Sequence, residues 1–305
     1  METRQNNYSL FYSRKNTMSI IVNIACGLAN RMFQYSYYLY LQSKGYEVEA
    51  DYYTSGVLAH EDVEWNKIFP KAIYRNASKT KIWWVGGGES MIAKIRRRYF
   101  PRIAKVQYMP TAFSVELPKQ DKQYMIGVFQ NAEMVEAVRN EVLDKFSFKP
   151  FEDDYNREVA KEMAACESVA IHVRKGADYQ SRIWYQNTCN MDYYRNAIAY
   201  MKNHLVNPRF FVFADNKEWV KEYFTGFEYT LVDGNPGDGW GSHFDMQLMS
   251  LCKHNIISNS TYSWWGAFLN ASSKKVVIIP KVWFNPDSCD DFTSEKLLCK
   301  GWIQL

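Results

Sequence analysis

The sequence has little excess charge, no closely spaced pair of cysteines and no long apolar run. None of its apolar stretches approaches the ~18 residues that a membrane-spanning helix needs, and the polar segment 1–17 lacks the apolar centre of a signal peptide. The six cysteines include no C-x-x-C pair, which argues against a zinc site and fits reduced thiols in a cytoplasmic protein. A net charge of +4 is too small to indicate a nucleic-acid partner, and we expect none.

Aromatic residues, in contrast, are abundant. They make up 16% of the 305 residues and include 10 Trp and 22 Tyr. Such an excess suits carbohydrate binding, because aromatic rings stack on sugar faces while their polar ends form hydrogen bonds. An aromatic-rich core would explain the same composition equally well.

Strand and helix patterns alternate along much of the chain. It opens with a predicted strand over 19–26, a helix over 31–43 and a strand over 47–51, whereas 55–120 predicts only loops and short helices. Further strands are expected over 124–130, 169–173, 209–214, 229–232, 255–258 and 275–279, and helices over 132–146, 192–204, 217–224, 244–252 and 262–269. This alternation predicts an α/β fold with two Rossmann-like domains facing a central cleft.

The segment boundaries follow from the same pattern. Pro150 and the acidic run 152–154 mark the predicted division between the two domains. We expect a flexible N-terminal extension over 1–17, an N-terminal domain over 18–150, a C-terminal domain over 151–285 and a C-terminal segment over 286–305.

Charged and polar residues are concentrated in the segment His172–Asp178. It follows the apolar run 168–171, which is typical of a buried parallel strand. Ligands of α/β proteins bind at the carboxyl ends of such strands. A histidine, two fixed cations and a carboxylate suit a nucleotide diphosphate, although a solvated charged loop would explain this segment on its own.

Polar groups also follow other predicted strands. The turn 26–31 starts a helix and offers backbone N–H groups to a phosphate. Asp215 ends a strand, where it either binds a ligand or caps the next helix. Segment 259–265 presents more hydroxyl and amide groups than one helix cap needs, which favours an anion site. Asp245 opens a helix after the glycine-rich loop 234–241.

Two short runs punctuate the less regular region. Gly86–Gly88 indicates a hinge or turn, because no strand and helix cap flank it as in a phosphate loop. The arginine triplet 96–98 indicates a solvated face, with a contact to anionic lipids as the second interpretation.

Together these segments resemble the bacterial α-1,2-fucosyltransferases of glycosyltransferase family 11. The family's GGLGNQMFQY corresponds to CGLANRMFQY at 26–35, and its HxRRGDY corresponds to HVRKGADY at 172–179. FSDDxxW corresponds to FADNKEW at 213–219. The long DLxLMSxCxxxIxANSSFSWWGAWL motif has its counterpart at 245–269, so the resemblance extends over about 20–285.

The resemblance implies a GT-B fold and an inverting reaction that needs neither metal nor cofactor. The chain contains no Asp-x-Asp triplet, the usual metal–diphosphate ligand of another glycosyltransferase class. The expected partners are GDP-L-fucose as donor and a β-galactoside-terminated glycan as acceptor, joined through galactose O2 in an α-1,2 linkage. The expected location is the cytoplasm, including peripherally the inner face of a bacterial membrane. The alternatives are transfer of fucose with another linkage or acceptor, and a non-catalytic nucleotide- or sugar-binding module.

The resemblance also assigns roles by position. The implied catalytic residues are Arg174 at the diphosphate, Asn30 on the opposing domain and Asp178 as a candidate general base. His172 and Asp245 match positions that hold guanosine. The full set of implied donor-binding residues is Gly27, Asn30, His172, Arg174, Lys175, Asp215, Asp245, Asn259, Ser260, Thr261, Tyr262 and Ser263.

Four departures from the family pattern bear on the site. Lys175 stands where the family has a second arginine, so a planar fork becomes a point charge. Ala177 is an extra residue before Asp178. Ala29 and Arg31 replace a glycine and a glutamine of the opening turn. These departures concern the acceptor more than the donor.

Overall fold

The computed structural model describes residues 18–52, 65–88, 91–100, 105–237 and 239–305. The predicted extension over 1–17 lies outside these residues. Within them, strands and helices form two parallel sheets, each with helices packed around it. We call the first sheet and its helices the N-terminal lobe, and the second sheet and its helices the C-terminal lobe.

The N-terminal lobe contains a four-stranded sheet in the order β2-β1-β4-β3, with every neighbouring pair parallel. Its strands are β1 Ser19–Asn23, β2 Glu47–Asp51, β3 Val106–Tyr108 and β4 Gln123–Ile126. Its helices are α1 Leu28–Ser43, α2 Trp65–Ile68, α3 Lys79–Trp84, α4 Met91–Tyr99, α5 Ala132–Glu136 and α6 Arg139–Lys145. The strand order reverses between β1 and β4, which makes the carboxyl ends of these two strands a natural binding crevice.

The C-terminal lobe contains a six-stranded parallel sheet in the order β10-β9-β8-β5-β6-β7. Its strands are β5 Glu167–Val173, β6 Pro208–Ala214, β7 Thr230–Val232, β8 His254–Ile256, β9 Val277–Ile279 and β10 Ile303–Gln304. Its helices are α7 Asp154–Ala164, α8 Ala177–Ser181, α9 Met191–His204, α10 Lys217–Tyr223, α11 Phe244–Leu251 and α12 Thr261–Leu269, with 3-10 turns at Ile183–Tyr185 and Glu295–Leu297. Here the order reverses between β5 and β8.

The predicted α/β architecture with two Rossmann-like halves is confirmed, with several local corrections. The helix expected over 132–146 is two helices, because the chain turns at Ala137–Val138 between α5 and α6. The acidic run 152–154, expected to mark a domain boundary, leads directly into α7. Asp153 caps this helix by accepting a hydrogen bond from the Asn156 N–H at 2.7 Å. The C-terminal segment adds β10 to the edge of the second sheet.

The hydrophobic core is continuous across the two lobes. Trp264 and Trp265 on α12 are fully buried and pack against Phe33 of α1, with ring centroids 4.7 and 4.9 Å away. The Trp265 indole N–H also donates to the Ala29 carbonyl at 2.9 Å. The aromatic excess is thus used in part for the core, and α12 fixes the position of one lobe against the other. No helix in the described part of the chain is long and apolar enough to cross a membrane.

Candidate active site

A cavity of about 740 Å³ lies between the lobes. Its walls come from segments that follow the carboxyl ends of strands in both sheets, including both places where the strand order reverses. The N-terminal lobe contributes the turn 27–30 and residues 128 and 130, and the C-terminal lobe contributes the segments after β5, β6, β8 and β9. The fold therefore brings together polar segments that are far apart in the sequence.

Arg174 follows the central strand β5 and is held from two sides. One guanidinium N–H donates to the Asn259 carbonyl at 2.9 Å, and the guanidinium carbon lies 3.8 Å from the centre of the Tyr185 ring. Both partners line the same cavity. A fixed cation therefore faces the space between the lobes. Tyr185 was not predicted, because the 3-10 turn that carries it has no pattern of its own in the sequence.

The amino end of α12 faces the cavity beside Arg174. Ser260 immediately precedes this helix. Its side chain accepts no capping hydrogen bond from the backbone N–H groups of the first turn. Ser260 and Thr261 line the cavity, whereas the Ser263 hydroxyl is fully buried and donates to the Ser260 carbonyl at 3.1 Å. The helix end thus offers backbone N–H groups and its positive dipole to a ligand.

Two other predicted ligands of this segment have internal partners. The side-chain amide of Asn259 donates to the Trp283 carbonyl at 3.2 Å. The Tyr262 hydroxyl donates to the Ser242 carbonyl at 2.6 Å and accepts from the Met246 N–H at 2.8 Å. These bonds fix the cavity wall, and they explain the run of polar residues without requiring every one to touch a ligand.

His172, the last-but-one residue of β5, lines the cavity in a neutral form. Its Nδ1 is hydrogen-bonded to the Ser258 hydroxyl at 2.7 Å. Burial, assisted by the charge of Arg174, lowers the pKa of His172 to about 3. The ring is therefore suited to hydrogen bonding and is too weak a base to take up a proton near neutral pH.

Asp245 lies in the first turn of α11 and also lines the cavity. One carboxylate oxygen accepts from the Asn235 side chain at 2.8 Å. Burial raises the pKa of Asp245 to about 6, against the opposing influences of this hydrogen bond and of the Lys217 charge. The carboxylate is consequently ionised at neutral pH and protonated in mild acid.

Asp215 holds the loop that follows β5. It accepts from the Lys175 backbone N–H at 2.7 Å, and a Cβ placed on Gly176 would lie 2.8 Å from its second carboxylate oxygen. The alternative role as a helix cap belongs to its neighbour Asn216, whose side chain accepts from the Trp219 N–H at 3.0 Å. Asp215 thus lines the cavity and shapes the loop that carries Arg174.

Lys175 is not among the residues that line the cavity. The side chain is buried, and its Nζ lies 3.9 Å from the centre of the Tyr179 ring and 5.4 Å from that of Trp219. The departure from the family's second arginine therefore places a cation among aromatic rings rather than among the lining residues. Asp178 belongs to α8, but its side chain lies outside the described part of the structure.

The N-terminal lobe contributes Asn30 together with a residue that the sequence analysis missed. The Gln130 side-chain amide donates to the Asn30 side-chain oxygen at 3.1 Å, and both residues line the cavity. The other atom of that amide, Gln130 Oε1, is buried and has no partner among the described residues. A buried acceptor of this kind is costly unless a ligand donates to it.

Arg31 stabilises the opening turn without lining the cavity. Its side chain is buried, donates to the Cys26 carbonyl at 2.6 Å and donates to the Tyr52 hydroxyl at 2.6 Å. Cys26 has a φ of 74°, a conformation that favours glycine, the family's residue at this position. Gly27 of the same turn lines the cavity. The glutamine-to-arginine departure thus acts on the shape of the turn and not on the cavity surface.

Ten of the predicted site residues line one cavity. They are Gly27, Asn30, His172, Arg174, Asp215, Asp245, Asn259, Ser260, Thr261 and Tyr262. Lys175 and Ser263 do not line it. Within the described ranges, no group of three or more His, Cys, Asp or Glu side chains is arranged to hold a metal ion.

Several known proteins are similar to this chain. The Escherichia coli O-antigen biosynthesis glycosyltransferase WbnK is 32% identical over 222 residues, which cover 68% of this chain and 70% of WbnK. An Escherichia coli α-1,2-colitosyltransferase is 34% identical over 139 residues, covering 45% of this chain and 48% of that protein. Galactoside α-(1,2)-fucosyltransferase 1 of Ateles belzebuth is 28% identical over 104 residues, covering 33% of this chain and 28% of that protein.

Among solved structures, the fucosyltransferase NodZ from Bradyrhizobium aligns with a TM-score of 0.48 and 10% identity, over 82% of this chain and 92% of NodZ. The Escherichia coli heptosyltransferase WaaC aligns with a TM-score of 0.41 and 11% identity, over 94% of this chain and 92% of WaaC. At the sequence level, the model of glycosyl transferase family 11 matches residues 12–305. Since that match covers nearly the whole sequence, the chain belongs to glycosyl transferase family 11.

Proposed function

We propose that the protein transfers L-fucose, with inversion, from GDP-β-L-fucose to O2 of a terminal β-galactoside, forming an α-1,2 linkage. The observation that carries the proposal is the position of Arg174. Its guanidinium is fixed between Tyr185 and the Asn259 carbonyl, beside the amino end of α12 and inside the cavity between the lobes. Membership of family 11 and similarity to an α-(1,2)-fucosyltransferase support the same reaction.

The chemistry of the reaction requires positive charge at this place. As GDP departs, negative charge develops on its β-phosphate while the sugar ring gains oxocarbenium character, as in glycoside hydrolysis. A guanidinium and oriented backbone N–H groups that are fixed beforehand stabilise charge where it develops, at no cost of reorganisation. In this proposal Arg174 and the first turn of α12 hold the diphosphate, and no metal or cofactor is needed.

We assign the nucleoside end of the donor to Asp245 and His172. An ionised carboxylate accepts hydrogen bonds from the N–H groups of guanine, and the neutral His172 ring adds a hydrogen bond without competing charge. The Asn235 bond at 2.8 Å orients the Asp245 carboxylate. Asp178 stays a predicted general base, supported only by its correspondence to the aspartate of the family's HxRRGDY motif.

The acceptor side is assigned to the N-terminal lobe and the segment after β9. Gln130 offers its buried, unpartnered oxygen to a sugar hydroxyl, and Asn30 lies beside it. Phe284, which is partly exposed, also lines the cavity and suits the apolar face of a galactose ring. These residues, rather than the donor-holding ones, are expected to set acceptor choice.

The direct test measures GDP release from GDP-fucose with β1,3- and β1,4-linked galactosides, followed by linkage analysis of the product. We expect release only with a terminal galactose and a product substituted at O2. Absence of a product with every terminal galactoside, or substitution at another hydroxyl, would overturn the proposal. GDP binding without any transfer would instead favour a non-catalytic binding module.

A second donor is a specific alternative, because one relative is an α-1,2-colitosyltransferase. Colitose is fucose without the 3-hydroxyl group, so the same diphosphate and guanosine contacts serve both donors. A higher kcat/KM with GDP-colitose than with GDP-fucose would favour this candidate. Both donors compete for one site, so each must inhibit transfer from the other.

A further inference from the structure

A second cavity, of about 640 Å³, lies beside α5. Its size is within the range of about 300–1,000 Å³ that is usual for the sites of small ligands. Its walls come from the end of α1, from residues of the segments 113–115 and 131–137, and from Asp291 and Lys296 near the C-terminus. We call it the α5 cavity. None of the residues assigned to the donor lines it, so the proposed function leaves its ligand open.

The α5 cavity adjoins the cavity between the lobes. On one segment Ala112 lines the cavity between the lobes, and the next residue, Phe113, lines the α5 cavity. The same alternation occurs on a second segment at Gln130 and Asn131. These segments are joined, because the Gln130 backbone N–H donates to the Ala112 carbonyl at 2.9 Å. The two cavities therefore lie on either side of one pair of hydrogen-bonded segments.

Aromatic rings lead from Arg174 to the α5 cavity. The Tyr185 ring, which packs against the Arg174 guanidinium, has its centre 6.3 Å from that of Phe284. Phe284 in turn packs against Phe113, with ring centroids 5.6 Å apart. Phe284 is partly exposed and lines the cavity between the lobes, whereas Phe113 is buried and lines the α5 cavity. The three rings thus connect the position assigned to the leaving diphosphate, beside which the acceptor reacts, with the α5 cavity.

The lining of the α5 cavity suits an uncharged ligand that both donates and accepts hydrogen bonds. Its charged residues are two lysines and two acids, Lys44, Lys296, Glu133 and Asp291. Within the described ranges, Glu133, Asp291 and Lys296 form no ion pair and no side-chain hydrogen bond. An anion would meet the two carboxylates, and a cation would meet the two ammonium groups. Sugar hydroxyls suit both signs, because each donates one hydrogen bond and accepts others.

An acceptor longer than one sugar needs space on this side of the cavity between the lobes. In the proposed reaction that cavity holds GDP-fucose and the accepting galactose, with Gln130 and Phe284 assigned to the galactose. The sugar that carries the galactose is joined to it through C1, next to the reacting O2, so it lies close to the same two residues. Their neighbours in sequence and in packing, Asn131 and Phe113, line the α5 cavity. This cavity is therefore the space adjacent to the second sugar.

We propose that the α5 cavity binds the uncharged sugar residues that carry the terminal galactose of the acceptor. Galactose lies against Phe284, and the hydroxyl groups of the next sugars contact Glu133, Asp291 and Lys296. The proposal rests on the proposed function, because it requires a galactose to be accepted in the cavity between the lobes. It adds that the enzyme selects acceptors partly by sugars that do not react, whose binding energy supports the reaction at the galactose.

The test compares methyl β-galactoside with lacto-N-biose and N-acetyllactosamine, which carry the same terminal galactose on a second sugar. GDP release by the full-length protein gives kcat/KM for each acceptor, and the ratio of the disaccharide value to the methyl galactoside value is the readout. We expect a ratio of at least about ten for the better disaccharide, since each added hydrogen bond contributes roughly twofold to tenfold. Ala137→Trp fills the α5 cavity from an exposed position and should bring the ratio close to one. Glu133→Ala/Asp291→Ala should lower it at least about threefold.

Both variants have a matched control outside the two cavities. Ala165, like Ala137, is exposed and follows the last turn of a helix with helical φ and ψ, so Ala165→Trp controls for the added indole. Glu158→Ala/Asp192→Ala removes one Glu and one Asp whose side chains are 74 and 79% exposed. Both controls should keep the wild-type ratio.

The possible failures are distinguishable. A ratio near one in the wild type, or a ratio that Glu133→Ala/Asp291→Ala leaves unchanged at the wild-type Tm, would refute the role of the α5 cavity and leave the proposed function intact. Transfer to none of the three galactosides would refute the proposed function, and the role of the α5 cavity with it. If Ala137→Trp lowers the Tm, the double alanine variant decides between the outcomes.

Discussion

The guanidinium of Arg174 lies over the Tyr185 ring at 3.8 Å and donates to the Asn259 carbonyl at 2.9 Å. The ring and the carbonyl hold the cation from different sides, so it keeps its position before any substrate arrives. A preorganised charge is worth more to a transition state than a mobile one, because it requires no reorganisation when the reaction proceeds. Variants can therefore test the orientation of Arg174 separately from its charge.

Arg174→Ala is expected to lower kcat by at least about tenfold to a hundredfold, which corresponds to the ~1.5–3 kcal/mol of a hydrogen bond to a charged group. Arg174→Lys restores the charge without the planar fork and should recover only part of the loss. Single-turnover rates with GDP-fucose provide the measurement, with Arg195→Ala as an exposed control. Near wild-type turnover of Arg174→Ala, with an unchanged Tm, would refute the assigned role.

Tyr185 should act on kcat through Arg174. Tyr185→Leu removes the ring and is expected to lower kcat about twofold to thirtyfold, the range of ~0.5–2 kcal/mol for a cation over an aromatic face. Tyr185→Phe keeps the ring and should stay near the wild type. In the Arg174→Ala background, Tyr185→Leu should have little further effect, and additive losses would show that the two residues act independently.

The pH dependence of donor use should report Asp245, whose pKa is raised by burial to about 6. As the pH falls through 6 the carboxylate gains a proton and loses its capacity to accept guanine N–H groups. We expect kcat/KM for GDP-fucose to fall below pH 6, approaching tenfold per unit at lower pH. GDP-fucose is preferable to GDP here, because its diphosphate is esterified at both ends and has no ionisation near 6.

Two comparisons isolate this effect. Asp245→Asn should have a low kcat/KM that no longer changes between pH 5 and pH 7, whereas the exposed Asp192→Asn should follow the wild-type curve. His172 cannot produce the transition, because burial lowers its pKa to about 3. An unchanged inflection in Asp245→Asn would assign the titration to another group.

Removal of metal ions should leave the reaction intact. In the proposed mechanism Arg174 and the first turn of α12 balance the charge of the leaving diphosphate, so kcat/KM should be the same before and after treatment with EDTA. Rates after addition of Mg²⁺ or Mn²⁺ complete the measurement. A loss of activity that either ion restores would contradict a metal-independent mechanism.

Much of the site could be predicted from the sequence because each polar segment follows an apolar run. His172, Arg174 and Asp215 come directly from the ends of β5 and β6, and parallel strands bring such ends to one edge of a sheet. Tyr185 and Gln130 could not be found in this way. Each is brought to the cavity by an irregular segment whose course depends on packing and not on a local pattern.

In the run 259–263, by contrast, the sequence predicted more ligand-binding residues than the structure leaves available. Its polar residues were all predicted to bind the donor, yet the Ser263 hydroxyl and the Asn259 amide bond to backbone carbonyls of the protein itself. The sequence shows an excess of polar groups, but it does not show which of them are already paired. Similarly, Lys175 was predicted to bind the donor, and only the structure reveals the Tyr179 and Trp219 rings around its Nζ.

Gln130 and Gln107 form a matched pair for testing acceptor recognition. Each is 7% exposed, each has a side-chain oxygen that is buried without a partner in the described structure, and only Gln130 lines the cavity. Gln130→Leu should raise the acceptor KM about two- to tenfold, the effect of losing a hydrogen bond worth ~0.5–1.5 kcal/mol, and leave the donor KM unchanged. Gln107→Leu should change neither.

The stability of the two variants separates a binding role from a structural one. Removing a buried acceptor that lacks a partner relieves its desolvation cost, so Gln130→Leu should keep the free energy of unfolding within about 1 kcal/mol of the wild type despite the lost bond to Asn30. Urea unfolding measures this directly. A strongly destabilised Gln130→Leu whose acceptor and donor KM rise together would indicate that Gln130 supports the cavity wall instead of contacting the acceptor.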